Sequence, residues 1–276
     1  MGINVENGQS VYCKEPIEKR EIQSLYSVVR ELVQKHSQTR IVMDIGCSDL
    51  TASRILNISG FQVIGIDLDI SCLRKAKNRG DKSYLMQADA RHLPFNNTKA
   101  DTVILLDILE HLERNEAAEL LTRIPEITAD NPKVIVSMPI INPFSIPCQR
   151  EFLLMTRQMK RPLIGLFDRT HKIFTGREGH KQLFKDAGLI PAEEYYTFWE
   201  LGDSGNWKLS VSGNWETLDR LSPQIKSRKY KIYELLTQTL APHIFHPLNK
   251  SKRQNITDNL IAYQGLYVLK PNGRSN

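Results

Sequence analysis

Cysteine is scarce in this chain of 276 residues: Cys13, Cys47, Cys72 and Cys148, with no CxxC pair. That spacing offers neither a zinc site nor a disulfide framework, so no metal is expected and a reducing compartment fits. No apolar run approaches the roughly 20 residues of a membrane span. The first ten residues lack the basic and apolar regions of a secretion signal, and the sequons at Asn57, Asn96 and Asn255 are then chance matches. Charge of one sign is missing from most of the chain. From Asp219 onward there are 10 Lys and Arg against 3 Asp and Glu; the remainder carries 27 against 28. The expected location is the cytoplasm. The basic end points to an anionic substrate or to peripheral contact with an anionic membrane surface.

Glycine is also missing where a common ligand would need it. "IVMDIGCSDL", residues 41–50, reads as a strand running into a tight turn at Gly46. A dinucleotide fingerprint, G-x-G-x-x-G, would put further glycines at 48 and 51, where Ser48 and Thr51 stand. The second glycine lets a pyrophosphate approach the backbone, and a Cβ obstructs it. Asp44 would repel phosphate but suits an ammonium group.

What is present alternates. Residues 15–36 have Ile22, Leu25, Val28, Val29, Leu32 and Val33 at helical spacing. Apolar strands follow in "RIVMDIG", "FQVIGIDLD", "SYLMQAD", "ADTVILLD" and "KVIVSMPI". Helices separate them, the one after "FQVIGIDLD" capped by Ser71 and stopped by Gly80. A late helix, "TGREGHKQLFKDAGL", carries a capping-box pattern at Thr175 and Glu178. "AEEYYTFWEL" and "LIAYQGLYVLK" read as the last two strands. Such alternation means an α/β, doubly wound, Rossmann-like fold, which binds ligands beyond the carboxyl ends of its strands.

The informative residues are therefore those that end strands. Asp44 to Ser48 end the first. Asp67 ends the second, 21 residues after Gly46, a spacing that suits an acid holding the hydroxyls of an adenosine ribose. Asp89 ends the third, where a carboxylate could accept from an adenine amino group. Adenosine, no phosphate and a cationic amino-acid end together describe S-adenosylmethionine.

These stretches resemble class I S-adenosylmethionine-dependent methyltransferases, in particular the broad group of ubiquinone-biosynthesis and small-molecule enzymes. "VMDIGCSDL" resembles the family's "VLDIGCGTG" turn, and "VIGIDLD" its acidic second strand. "MQADARHLPF" is similar to the segment that packs on adenine, and "ADTVILLDILEHL" to the family's "FDVVxxxEVLEHL". "DRTHKIFTGREGHKQLFKDAGL" resembles a later histidine-bearing stretch of members acting on sugars or envelope precursors. Ser48 and Leu50 depart from the pattern, which has glycines there, and a side chain at 50 is expected to crowd the methionine end.

The resemblance implies a seven-stranded sheet formed by residues 40–201 and 259–271, after a helical segment at 1–39. Residues 142–170 would be a lid or cap, and 202–258 a helical basic insertion at the substrate. Asp44, Gly46, Cys47 and Ser48 would face the methionine end, Asp67 the ribose, and Leu68, Asp89 and Ala90 the adenine. Asp107 would lie near the sulfonium. His171, Asp107 and His111 are the catalytic candidates, with Asp168 placed to orient His171. The expected reaction is O-methylation of a small molecule or a glycan or lipid precursor. An RNA methyltransferase and a non-catalytic adapter of the same fold are the alternatives; no Asn-Pro-Pro-Tyr type motif follows the fourth strand, so nucleic acid is the weaker partner.

Overall fold

Apolar runs that are buried on both faces become parallel strands, because helices must cover both sides. In the computed structural model, β1 (Ile41–Ile45), β2 (Gln62–Asp67), β3 (Tyr84–Gln87), β4 (Thr102–Leu106) and β5 (Lys133–Pro139) are such strands. The structure describes residues 19–50, 54, 56, 59–140, 170–173, 175–201, 207–213 and 264–273. Within them lie the helices α1 (Lys19–His36), α2 (Ile70–Asn78), α3 (Arg114–Ile127) and α4 (Arg177–Asp186). The late strands are β6 (Leu189–Leu201), β7 (Trp207–Gly213) and β8 (Gln264–Pro271).

The sheet runs β3-β2-β1-β4-β5-β8-β6-β7. The first five strands pair in parallel, and β8, β6 and β7 join antiparallel. Strand order reverses between β1 and β4, where Asp44 lies opposite Ile104. A doubly wound sheet opens its ligand crevice at that reversal.

Each sheet face buries one side of its helices. Leu25, Val28, Val29, Leu32 and Val33 of α1 pack on Val42, Val63, Ile104, Ile135, Leu266 and Val268. On the other face Leu120, Leu121 and Ile124 of α3 and Leu183 and Phe184 of α4 cover Met43, Val103, Val134 and Tyr267. Each fully buried side chain of this size contributes about 1.5–3 kcal/mol. No helix among the described residues is long and apolar enough to cross a membrane.

Several expectations need correction. The expected sheet gains an eighth strand, because Trp207–Gly213 extends it as β7, at a place expected to be helical. A strand there lets β6 pair on its second side, from Tyr195 opposite Gly213 to Leu201 opposite Trp207. The rest of the insertion lies outside the described residues, as do residues 142–169 of the expected lid. α2 is capped by the Asp69 carboxylate, which accepts from the Ser71 N–H; Ser71 is not itself the cap. α4 starts after Gly176 without a side-chain cap, so the Thr175–Glu178 box does not form. The Thr175 hydroxyl instead lies over Gly179, where any Cβ would collide with it. Among the described cysteines, Cys47 is free and buried.

Candidate functional site

The turn after β1 is built from three residues with positive φ: Gly46 at 76°, Ser48 at 49° and Leu50 at 62°. Gly46 is required, because a Cβ there would stand 2.4 Å from Ile108 Cδ1. That contact draws the turn against the segment after β4. The amides of Gly46 and Cys47 both donate to the Ile66 carbonyl, at 2.8 and 3.0 Å, and so lock the turn to β2. Leu50 does not crowd the crevice. Its side chain is fully buried beside Cys47, Leu73 and Ala76, over Gly65, where a Cβ would lie 2.6 Å from Leu50 Cδ2. Gly65 on the neighbouring strand leaves the room that the Leu50 side chain fills.

Ser48 and Asp67 meet at the crevice. Asp67 accepts the Ser48 N–H at 2.7 Å on one oxygen and the Asp69 N–H at 2.8 Å on the other. A carboxylate has about four acceptor sites, so two amides leave capacity for two vicinal hydroxyls. Desolvation raises the Asp67 carboxyl above the usual range, and these amide bonds oppose that rise. Leu68, the next residue, is exposed at 43%, an open apolar surface beside the acid.

Asp89 is placed differently. It caps the short 3-10 turn Ala90–His92 and is forked by the Arg91 guanidinium, with 2.6 Å between Oδ2 and Nη2. Those bonds hold its carboxyl below the ordinary range. The adenine contact expected of it would compete with this cap and with Arg91. Ala90 is half-buried at the start of the same turn.

Asp44 is buried at the end of β1, 3% exposed. Asp107 follows β4 with φ at 54°. Its amide donates to Ser137 Oγ, the Ser137 hydroxyl donates back to its carboxylate at 2.8 Å, and the Gln264 side chain donates to the same oxygen. Asp107 is open to solvent, yet protein crowds the floor of the crevice round it. Desolvation raises its carboxyl most, with Ser137, Gln264 and the His111 charge opposing. The charges of Asp107, Asp44 and Asp49 reach Tyr26 of α1, whose phenol is pushed well up, first by burial and then by these acids. Cys47 is likewise raised by burial, then by Asp44 and Asp67, and stays a neutral thiol. The crevice is thus acidic and suits a cationic ligand.

His111 and His171 come together from distant parts of the chain. Their ring centroids are 4.8 Å apart, edge to face. Thr170 Oγ1 lies 2.8 Å from His111 Nδ1. Lys172 and Ile173 donate backbone N–H groups to the Glu110 carbonyl at 2.6 and 3.2 Å, pinning the histidine segment to the turn after β4. Asp168, expected to orient His171, lies outside the described residues. Sequence reasoning missed Tyr26, Glu110, Thr170, Ser137 and Gln264. The available signals were a serine inside the buried run "KVIVSMP" and a glutamine beginning the last strand.

Residues 42–131 match the family described as methyltransferase domain. The matched stretch begins in β1 and ends before β5, so the similarity covers the parallel strands β1 to β4. Two curated relatives, probable S-adenosylmethionine-dependent methyltransferases from two strains of Mycobacterium tuberculosis, are each 25% identical over 87 residues. That stretch is 32% of this chain and 32% of each relative, so the match spans about a third of their length. A solved S-adenosylmethionine-dependent methyltransferase of Archaeoglobus fulgidus superposes with a TM-score of 0.53 at 16% identity, covering 89% of this chain and 94% of that one. Another, from Thermotoga maritima, gives 0.53 at 12% identity, covering 91% and 92%. At such identities the structures establish the fold alone, and it is the methyltransferase fold. The fold places the turn after β1 and Asp107 after β4 at the strand ends that border the reversal of strand order, with Asp67 at the end of the neighbouring β2.

Proposed function

We propose that the protein transfers the methyl group of S-adenosylmethionine to a hydroxyl oxygen of a small molecule or of a glycan or lipid precursor. The observation that carries this reading is the meeting of His111 and His171 near Asp107, at the carboxyl end of β4. In this reading Asp67 takes the ribose hydroxyls, Leu68 lies under the adenine, and Asp44 with the Gly46 turn faces the ammonium. Asp107 faces the sulfonium.

Transfer is an in-line displacement. The acceptor oxygen forms a bond to the methyl carbon, the carbon–sulfur bond breaks, and its electron pair stays on sulfur as a neutral thioether. The hydroxyl proton passes to His171. The positive charge of the sulfonium thus ends on an imidazolium, and the protein supplies alignment and a dry site. A base at this position contributes about 10²–10⁴-fold.

The test is calorimetric titration with S-adenosylmethionine and its demethylated product, followed by transfer of labelled methyl into nuclease-treated extract. Binding of both ligands and label recovered in a nuclease-resistant, base-stable product support the reading. Label lost on nuclease treatment would instead favour RNA, and no cofactor binding would leave an adapter.

A further inference from the structure

We propose that Glu110, His111 and His171 form a binding site for a single divalent transition-metal ion, of which zinc is the best match, at the acceptor edge of the crevice. One ligand atom from each side chain lies within 4.8 Å of the other two. In a tetrahedral site with metal–ligand bonds of about 2.0–2.1 Å, such atoms stand about 3.3 Å apart. The largest separation exceeds the tetrahedral one by about 1.5 Å, a difference of the size that side-chain rotation closes.

Three further features make the cluster a site rather than a coincidence of neighbours. The two segments are fastened together by main-chain bonds, from Lys172 and Ile173 to the Glu110 carbonyl, so the approach of His171 is set by the fold. Thr170 Oγ1 contacts His111 Nδ1 at 2.8 Å. In the tautomer that donates Nδ1–H to that oxygen, Nε2 turns its lone pair outward, the usual support for a metal-binding imidazole. Glu110 is 1% exposed, so its carboxylate acts in a low-dielectric setting that holds a dication strongly.

The donor set decides the ion. Two imidazoles and one carboxylate favour zinc, iron or nickel over magnesium or calcium, which prefer all-oxygen ligands. Three protein ligands leave a fourth position open, as catalytic rather than structural zinc sites do. No local spacing signals the cluster, because Glu110 and His111 are adjacent while His171 arrives from a segment 60 residues on.

The ion site stands on geometry alone. Its use in methyl transfer rests on the reading above: an acceptor oxygen in the open position would ionise more readily. His171 would then hold the ion, and the proton of the ion-bound hydroxyl would leave to solvent water; in the metal-free chain His171 takes that proton itself.

The full chain, stripped with chelator, is titrated with zinc chloride by calorimetry, and separately with magnesium chloride and with S-adenosylmethionine. One zinc per chain at micromolar affinity or tighter is expected, with magnesium at least 100-fold weaker. His171→Ala and Glu110→Gln should each lose at least 100-fold in zinc affinity, and Thr170→Val about 10-fold, with cofactor affinity unchanged as proof of folding. No zinc binding by the wild type, or binding unaltered in both His171→Ala and Glu110→Gln, overturns the site. If a variant loses cofactor binding, His171→Asn and Glu110→Asp carry the same comparison. Zinc binding without cofactor binding would leave the ion site standing and refute the methyl-transfer reading instead.

Discussion

Asp67 orders the turn and, in the proposed reading, the ribose with the same carboxylate. Asp67→Ala removes both, and cofactor affinity is expected to fall by about 1.5–3 kcal/mol, since hydrogen bonds to a charged acceptor are lost. Calorimetry on the folded variant checks it, and an unchanged dissociation constant would take Asp67 out of the site. Leu50 gives the opposite pattern. Its side chain is buried under the turn beside Leu73 and Ala76, so Leu50→Ala should cost about 2–5 kcal/mol of stability yet leave cofactor affinity within twofold. Urea unfolding and a cofactor titration on one preparation separate the two effects. His171→Ala and His171→Gln should both lower turnover by about 10²–10⁴-fold while keeping the cofactor. Full activity in both would discard the residue from the chemistry. At this scale the acids were legible and their holders were not. Asp44, Asp67, Asp89 and Asp107 announce themselves by ending apolar runs. Ser137 reaches Asp107 through the pairing of β4 with β5, and Gln264 through that of β5 with β8, which no local pattern encodes.

Among the elements, α1 shows most plainly how periodicity becomes packing. Leu32 is fully buried between the helix and the sheet, and Leu32→Ala should destabilise by about 2–5 kcal/mol. α4 carries a second test. His180 is 1% exposed, with Nδ1 3.0 Å from the Tyr267 hydroxyl. Burial is the main cause that lowers its pKa from 6.5 to about 4. The unfolded chain therefore binds this proton more readily than the folded one. The resulting stability is complete above pH 6.5 and is lost as pH falls towards 4, by an amount on the order of 3 kcal/mol. Denaturant unfolding at pH 7.5 and 4.5 should show a smaller acid loss in His180→Gln than in the wild type; equal losses would refute the assignment. The helices and parallel strands were readable because their faces are apolar at one period. β7 was not, although Trp207, Leu209 and Val211 alternate with polar residues, because the surrounding basic composition outweighed that short alternation. The cap of α2 was misread by two residues, since aspartate and serine compete for the same position and the chain geometry favoured Asp69.

For the molecule as a whole, the order of elements was enough to give the doubly wound core and the position of its crevice. The antiparallel half of the sheet was less legible, because strand neighbours there depend on where β8 inserts. That insertion has a consequence for biosynthesis. β8 lies between β5 and β6, yet the ribosome makes it after both. Until Gln264–Pro271 has emerged, two hydrogen-bonding edges stay open and the sheet is in separate halves. Asp107 meanwhile lacks its Gln264 partner. Nascent chains stalled before β8 should therefore be protease-sensitive and prone to bind chaperones, and the site should mature only after the last strand is released.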